Sequence, residues 1–149
     1  MTTLTFLDLD ALRSELRRDE GLPGGKPALK PYRDTTGHLT IGFGRNLDDV
    51  GITPEEANAM LDHDIAIAIG SLSARLRWFD QVDHVRQRVL INMAFNLGIE
   101  GLLGFRKMLA ALMVKDHETA ARELETSKYF TQVGQRGPRL ARMLRTGTV

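Results

Sequence analysis

The chain has 149 residues, 42% hydrophobic and 26% charged, enough for one domain with a sizeable core. It contains no cysteine, which excludes a disulfide framework and thiolate chemistry. The net charge of +1 says little in total, but its distribution is uneven: after Glu125 no acidic residue follows, while Lys128, Arg136, Arg139, Arg142 and Arg145 are basic. Such an end suits an anionic polymer (cell wall, nucleic acid or membrane surface), or it is a solvated helix face. No apolar run approaches the roughly 18 residues of a spanning helix, so stable membrane insertion is not expected.

The first twenty residues, MTTLTFLDLDALRSELRRDE, lack the basic start and apolar centre of a signal peptide. Leu9, Leu12, Leu16 and Glu20 follow spacings of three, four and four, which place them on one helix face. Thr5 and Asp8 read as a capping box, and Gly21 as a left-handed C-cap. Glu20 is then either a surface residue at a fraying end or a carboxyl on an apolar stripe. In the second case burial and the negative helix end would both favour its protonated form, as a general acid requires.

Pro23, Gly24, Gly25 and Pro27 form a loop. Residues 31–34 and 39–44 read as two short strands around Thr35-Thr36-Gly37-His38, with Asp34 opening the turn. Leu39, Ile41 and Phe43 alternate with Thr40, Gly42 and Gly44, so the first set is expected in the core. The second set would leave Thr40 on an open face beside glycines, where a bulky substrate can approach the backbone. Gly42-Phe43-Gly44 has no third glycine or Walker lysine after it and is not read as a phosphate loop.

Thr53-Pro54-Glu55-Glu56 is a helix start, with Thr53 as N-cap, Pro54 at the first position and Glu56 at the third. The helix can run through Leu72. Residues 85–97, VRQRVLINMAFNL, are apolar nearly all round beyond Arg88 and read as a buried central helix ending at Gly98. Asn92 and Asn96 interrupt it one turn apart, either as structural hydrogen-bonding groups or as ligand contacts. Further helices are expected over about 105–114 and 117–126, and Pro138 is expected at the first position of the last one.

The ordered set Glu20-Gly21-Leu22, then Tyr32, Asp34, Gly37, Thr40, Ile41, Gly42 and Gly44, resembles the active-site segment of the phage-type lysozymes. These are the T-even phage lysozyme-like endolysins, glycoside hydrolase family 24. The tail SKYFTQVGQRGPRLARMLRTGT is similar to that family's C-terminal region, and the resemblance covers about residues 6–148. It implies a mostly α-helical, lysozyme-like α+β fold with two lobes. About residues 22–52 would form a small antiparallel β lobe; residues 5–21 and 53–149 would form the helical lobe and its connecting helix. It also implies catalytic roles for Glu20, Asp34 and Thr40, and substrate-binding or supporting roles for Gly42, Phe95, Asn96 and Arg136, with Arg136 reaching the catalytic glutamate. The chain departs from the pattern in a loop inserted at 23–27 and in Arg45, which stands where many relatives have histidine.

Glycoside hydrolysis needs two carboxyl groups flanking the bond. Glu20 fits the acid; Asp34, in a polar turn, should stay ionised; the Thr40 hydroxyl can hold a water beside it. The four histidines are scattered with no H-E-x-x-H, no G-x-S-x-G occurs, and the methionines fit helical core patterns. No metal or organic cofactor is expected. The expected activity is hydrolysis of the β-1,4 bond between N-acetylmuramic acid and N-acetylglucosamine in bacterial peptidoglycan, with inversion and cell lysis. Rival readings are a lytic transglycosylase on the same bond, a non-catalytic wall-binding phage structural module, and a nucleic-acid binder using Arg136 to Arg145. A monomer is expected, made in the host cytoplasm, with no nucleic-acid partner and with holin-type release or delivery in a phage particle.

Overall fold

The computed structural model describes residues 6–149, with side chains from residue 9 onward. Thr5 and the Asp8 side chain, read as a capping box, lie outside the described residues. Seven α-helices, one 3-10 turn and one three-stranded antiparallel sheet are present among the described residues, a mostly helical α+β lysozyme-like fold. None of these helices is long and apolar enough to cross a membrane. The chain forms two compact units, Met1–Ala57 and Asn58–Val149.

In the first unit, α1 (Phe6–Glu20) leads into a loop and then β1 (Ala28–Arg33), β2 (Leu39–Gly42) and β3 (Arg45–Asn46), in sheet order β1-β2-β3. The loop closes on itself: Leu22 N–H donates to the Lys26 carbonyl at 2.7 Å, and Gly24 and Gly25 make the reversal with positive φ. Gly21 does not take the left-handed conformation expected of it. Its requirement is steric, because a Cβ there would collide with the Arg17 carbonyl and stand 3.0 Å from the Gly25 carbonyl carbon. Tyr32 pairs with Thr40 and Ala28 with Gly42, so β1 carries extra residues between these pairs. Pro31, which has no N–H to give a ladder, lies in that irregular stretch.

The apolar stripe of α1 is not buried as expected. Leu12 and Leu16 are 39% and 47% exposed, and Glu20 is exposed. A 15-residue helix is about 22 Å long, and a sheet whose strands have six, four and two residues is too small to cover it. The β2–β3 turn meets the last turn of α1, where the Arg17 guanidinium lies 5.8 Å from the Phe43 ring centre.

The helix start at residue 53 forms as read. Glu56 N–H donates to Thr53 Oγ1 at 3.2 Å, and Thr53 N–H donates to Glu56 Oε2 at 2.8 Å. The other oxygen of Glu56 pairs with Arg45 at 2.6 Å, and Arg45 also donates to the Gly51 carbonyl. Arg45 therefore ties β3 to the start of α2 (Pro54–Arg75).

The second unit carries the large core. Leu72, Leu90, Met93, Leu102, Leu124, Leu140 and Leu144 are almost fully buried there. The central helix α3 (His84–Leu103) breaks at Gly98, with φ 75 and ψ 163, where the sequence ended it. Helices α4 (Arg106–Met113) and α5 (His117–Glu125) fall within a residue of their expected bounds. The short α6 (Lys128–Gln132) is an element the sequence reading lacked. Ser127 caps it, accepting from Phe130 N–H at 3.2 Å. Helix α7 (Arg136–Thr146) begins two residues before Pro138, which is therefore third rather than first. A proline is still tolerated there, because first-turn N–H groups have no helical partner.

The basic tail is partly neutralised. Arg145 bonds both oxygens of Glu125, at 2.9 and 3.0 Å, and Glu118 at 2.8 Å. Its neighbour in space, Arg86, is buried and donates to the Leu144 carbonyl at 2.6 Å and the Arg145 carbonyl at 3.1 Å. The guanidinium thus caps the last turn of α7 from 58 residues away, and Asp83 Oδ2 holds its remaining edge at 2.9 Å. Gly147 completes the end in the left-handed conformation; a Cβ there would stand 2.7 Å from the Arg86 guanidinium.

Candidate active site

Asp34 sits where β1 turns into β2. Its backbone N–H donates to the His38 carbonyl at 2.9 Å, and Gly37, at φ +86, donates back to the Asp34 carbonyl at 3.0 Å. The Asp34 carboxylate completes the turn. Its Oδ1 accepts from Thr36 N–H at 2.9 Å, Thr36 Oγ1 at 2.7 Å and His38 N–H at 2.9 Å. These donors, the Thr36 hydroxyl foremost, hold the half-buried carboxyl below the ordinary carboxylate range. Asp34 therefore stays ionised at neutral pH, with one oxygen saturated and the other, Oδ2, facing Thr40.

Thr40 Oγ1 lies 3.4 Å from Asp34 Oδ2 and 3.1 Å from the His38 carbonyl. The side chain is only 3% exposed, which overturns the expectation of an open-face threonine. The expected alternation is absent: Leu39, Ile41 and Gly42 are all half-buried, and Phe43 is 39% exposed. Strand β2 is the central strand, paired through Thr40 with both Tyr32 and Asn46, and the 34–38 turn covers the side on which Thr40 lies. Periodicity alone did not include that turn.

Glu20 ends α1 and lies against the β2–β3 turn. A Cβ built on Gly44 would stand 3.2 Å from Glu20 Oε2 and 3.5 Å from Glu20 Cβ. Gly44 has φ +79, so its conformation favours glycine, and a side chain there would crowd the Glu20 carboxyl. Gly42, at φ +68, has open space where a side chain would be. Glu20, Asp34, Thr40 and Gly42 all belong to the Met1–Ala57 unit.

The other residues singled out by resemblance belong to the second unit. Phe95 and Arg136 line one cavity of about 520 Å³, with Asn92, Arg88, Arg139 and apolar side chains. Asn96 is exposed and is not part of its lining. Asn92 Oδ1 is buried without a hydrogen-bond partner among the described residues, so structural bonding, one of the two readings of it, is not seen at that atom. Thr36, His38 and Gly44 were not identified as site residues from sequence. The spacing D-T-T-G-H, in which one aspartate can collect donors two and four residues on, was the available signal for the first two.

A helix-end carboxyl group and a turn-held carboxylate, brought into one compact unit beside an open glycine turn, are the parts that a glycoside hydrolase uses. The chain belongs to the phage lysozyme family, whose model matches residues 20–144. It is similar to the probable T4-type lysozymes 1 and 2 of Dictyostelium discoideum, at 26% and 28% identity over 95% of this chain and 97% of each relative. It is also 30% identical, over 90% of its length, to part of the pre-baseplate central spike protein Gp5 of Enterobacteria phage T4, of which the match spans 27%. The protein is accordingly a glycoside hydrolase of the lysozyme type, acting on peptidoglycan.

Proposed function

We propose that the protein cleaves the β-1,4 bond between N-acetylmuramic acid and N-acetylglucosamine with inversion at the anomeric carbon. Glu20 protonates the leaving oxygen, and Asp34 activates the attacking water. The carrying observation is the pair Asp34 Oδ2 and Thr40 Oγ1 at 3.4 Å, with Asp34 Oδ1 already occupied by three donors. The Thr40 hydroxyl lies closer to the His38 carbonyl, so its proton goes there and its lone pairs remain for another donor. A water about 2.8 Å from both oxygens can donate one hydrogen to Asp34 Oδ2 and one to Thr40 Oγ1. Its own lone pair then points away from both, toward the sugar, and Asp34 takes the proton as the bond to carbon forms.

Gly42 offers backbone without a side chain for the sugar to approach. Phe95, Asn96 and Arg136 are proposed as substrate-contacting or supporting groups from the second unit. The protein is proposed to act as a monomer on the wall, reached by holin-type release or carriage in a phage particle, with lysis as the outcome.

The test is digestion of purified peptidoglycan, read by mass spectrometry and by proton NMR of the first product anomer before mutarotation. The expected products are reducing muropeptides that appear first as the α-anomer. A β-anomer would make Asp34 a nucleophile, and a 1,6-anhydro product would make the enzyme a lytic transglycosylase.

A further inference from the structure

We propose that His38 is a positioning residue for Asp34, acting through the Thr36 hydroxyl; the inference rests on Asp34 being the base. Thr36 Oγ1 stands between two partners, Asp34 Oδ1 at 2.7 Å and His38 Nδ1 at 2.6 Å. A hydroxyl has one proton, and an ionised carboxylate can only accept. The Thr36 proton therefore goes to Asp34, and the contact with His38 requires Nδ1 to carry a proton and donate it to Thr36. The hydrogen bonds run in one direction, from the imidazole to the hydroxyl to the carboxylate. The other ring nitrogen, His38 Nε2, lies 3.6 Å from Asp49 Oδ2, beyond hydrogen-bond distance. Asp49 is itself fixed by Asn46, which donates to that same oxygen at 2.8 Å.

The consequence falls on Asp34 Oδ2. If Nδ1 gave up its proton, it would become an acceptor and compete with Asp34 for the single proton of Thr36. Asp34 Oδ1 would lose its shortest donor, and the carboxylate would be freer to rotate Oδ2 away from Thr40. His38 acts on Asp34 at one remove, through the Thr36 hydroxyl. Its role is to fix the Thr36 hydroxyl in place against Asp34 Oδ1, so that one carboxylate oxygen is committed to the turn and the other to the reaction. His38 also holds the turn directly through its backbone N–H and carbonyl, but those contacts survive any side-chain substitution.

The experiment compares His38→Asn, His38→Gln, His38→Ala and Asp34→Asn in steady-state digestion of soluble glycan chains, with a melting curve for each. Asparagine places its terminal amide near the position of Nδ1, whereas glutamine reaches toward that of Nε2. His38→Ala is expected to lose about fivefold in kcat at unchanged KM, the worth of one neutral hydrogen bond that orients the Thr36 hydroxyl. His38→Asn should recover most of that loss and His38→Gln should not.

If His38→Ala keeps the wild-type kcat, or if His38→Gln is the better substitute, the positioning role is overturned. Should the alanine variant fail to fold, the asparagine–glutamine order alone decides. Asp34→Asn separates the two levels: near-full activity there would remove Asp34 as the base. An inactive Asp34→Asn beside a fully active His38→Ala would remove only the role of His38.

Discussion

Gly44 lies directly against Glu20: the position of its missing Cβ is 3.2 Å from the carboxyl oxygen Oε2. The β2–β3 turn thus forms one wall of the place where the acid stands, 24 residues after it in the chain. Gly44→Ala adds a methyl group both to a left-handed backbone and to that wall. We expect a loss of about 1 kcal/mol in stability from the backbone alone. Activity should fall further than stability accounts for, because Glu20 must move. Melting temperature and turbidity clearing, measured on the same sample, separate the two effects. Wild-type specific activity in a folded Gly44→Ala protein would contradict this placement of the acid.

Glu20→Gln should fold like the parent and lose nearly all activity. The amide matches the carboxyl group in size but cannot give up a proton as the acid does. Glu20 is exposed, so the substitution leaves no buried group unpaired. Clearing at the parental rate would refute the assignment.

The pH dependence on the acid side follows from Asp34. The Thr36 hydroxyl first, then the His38 N–H, hold its carboxyl below the ordinary range in the folded state. A folded pKa below the unfolded value means that its contribution to stability is present above about pH 3.9 and lost as pH falls through the folded value. The sign is the same for Asp116, bonded by Thr119, and for Glu118, bonded by Arg145. It is the same for Asp83, where burial acts upward but the Arg86 hydrogen bonds prevail. Acid unfolding followed by circular dichroism should therefore begin below about pH 4. The base should also stay competent down to that range. An activity loss near pH 6 that disappears in Asp34→Glu would show that Asp34 titrates much higher.

Arg86→Ala should cost about 3 kcal/mol in stability. It removes the donors that cap the Leu144 and Arg145 carbonyls and leaves Asp83 without its partner. Urea denaturation gives the number, and a loss under about 1 kcal/mol would mean that water replaces the guanidinium at the helix end. Activity per folded molecule should be unchanged, since Arg86 lies buried between α3 and the end of α7, away from Glu20, Asp34 and Thr40 in sequence and in unit.

Short-range chemistry was legible in the chain itself. The reciprocal bonds of Thr53 and Glu56, the break at Gly98 and the Asp34 turn each depend on residues within four positions of one another. Local geometry decides them wherever the segment ends up. The ordered motif from Glu20 to Gly44 was also legible, as a resemblance to the family whose model matches residues 20–144.

What the sequence could not determine was which side of a strand would be covered and what would meet across the fold. Thr40 alternates as an outward residue should, yet it is buried, because the turn that covers it folds back onto the central strand. Gly21 reads as a left-handed cap, yet its need is for clearance from a loop that returns beside it. Arg145 reads as part of a free basic face, yet two glutamates on another helix, α5, hold it. Arg86 carries no local signal of its role, yet it closes the end of α7, 58 residues on. These outcomes depend on packing between segments distant in sequence, and neither periodicity nor propensity carries that information, because both are properties of a single segment.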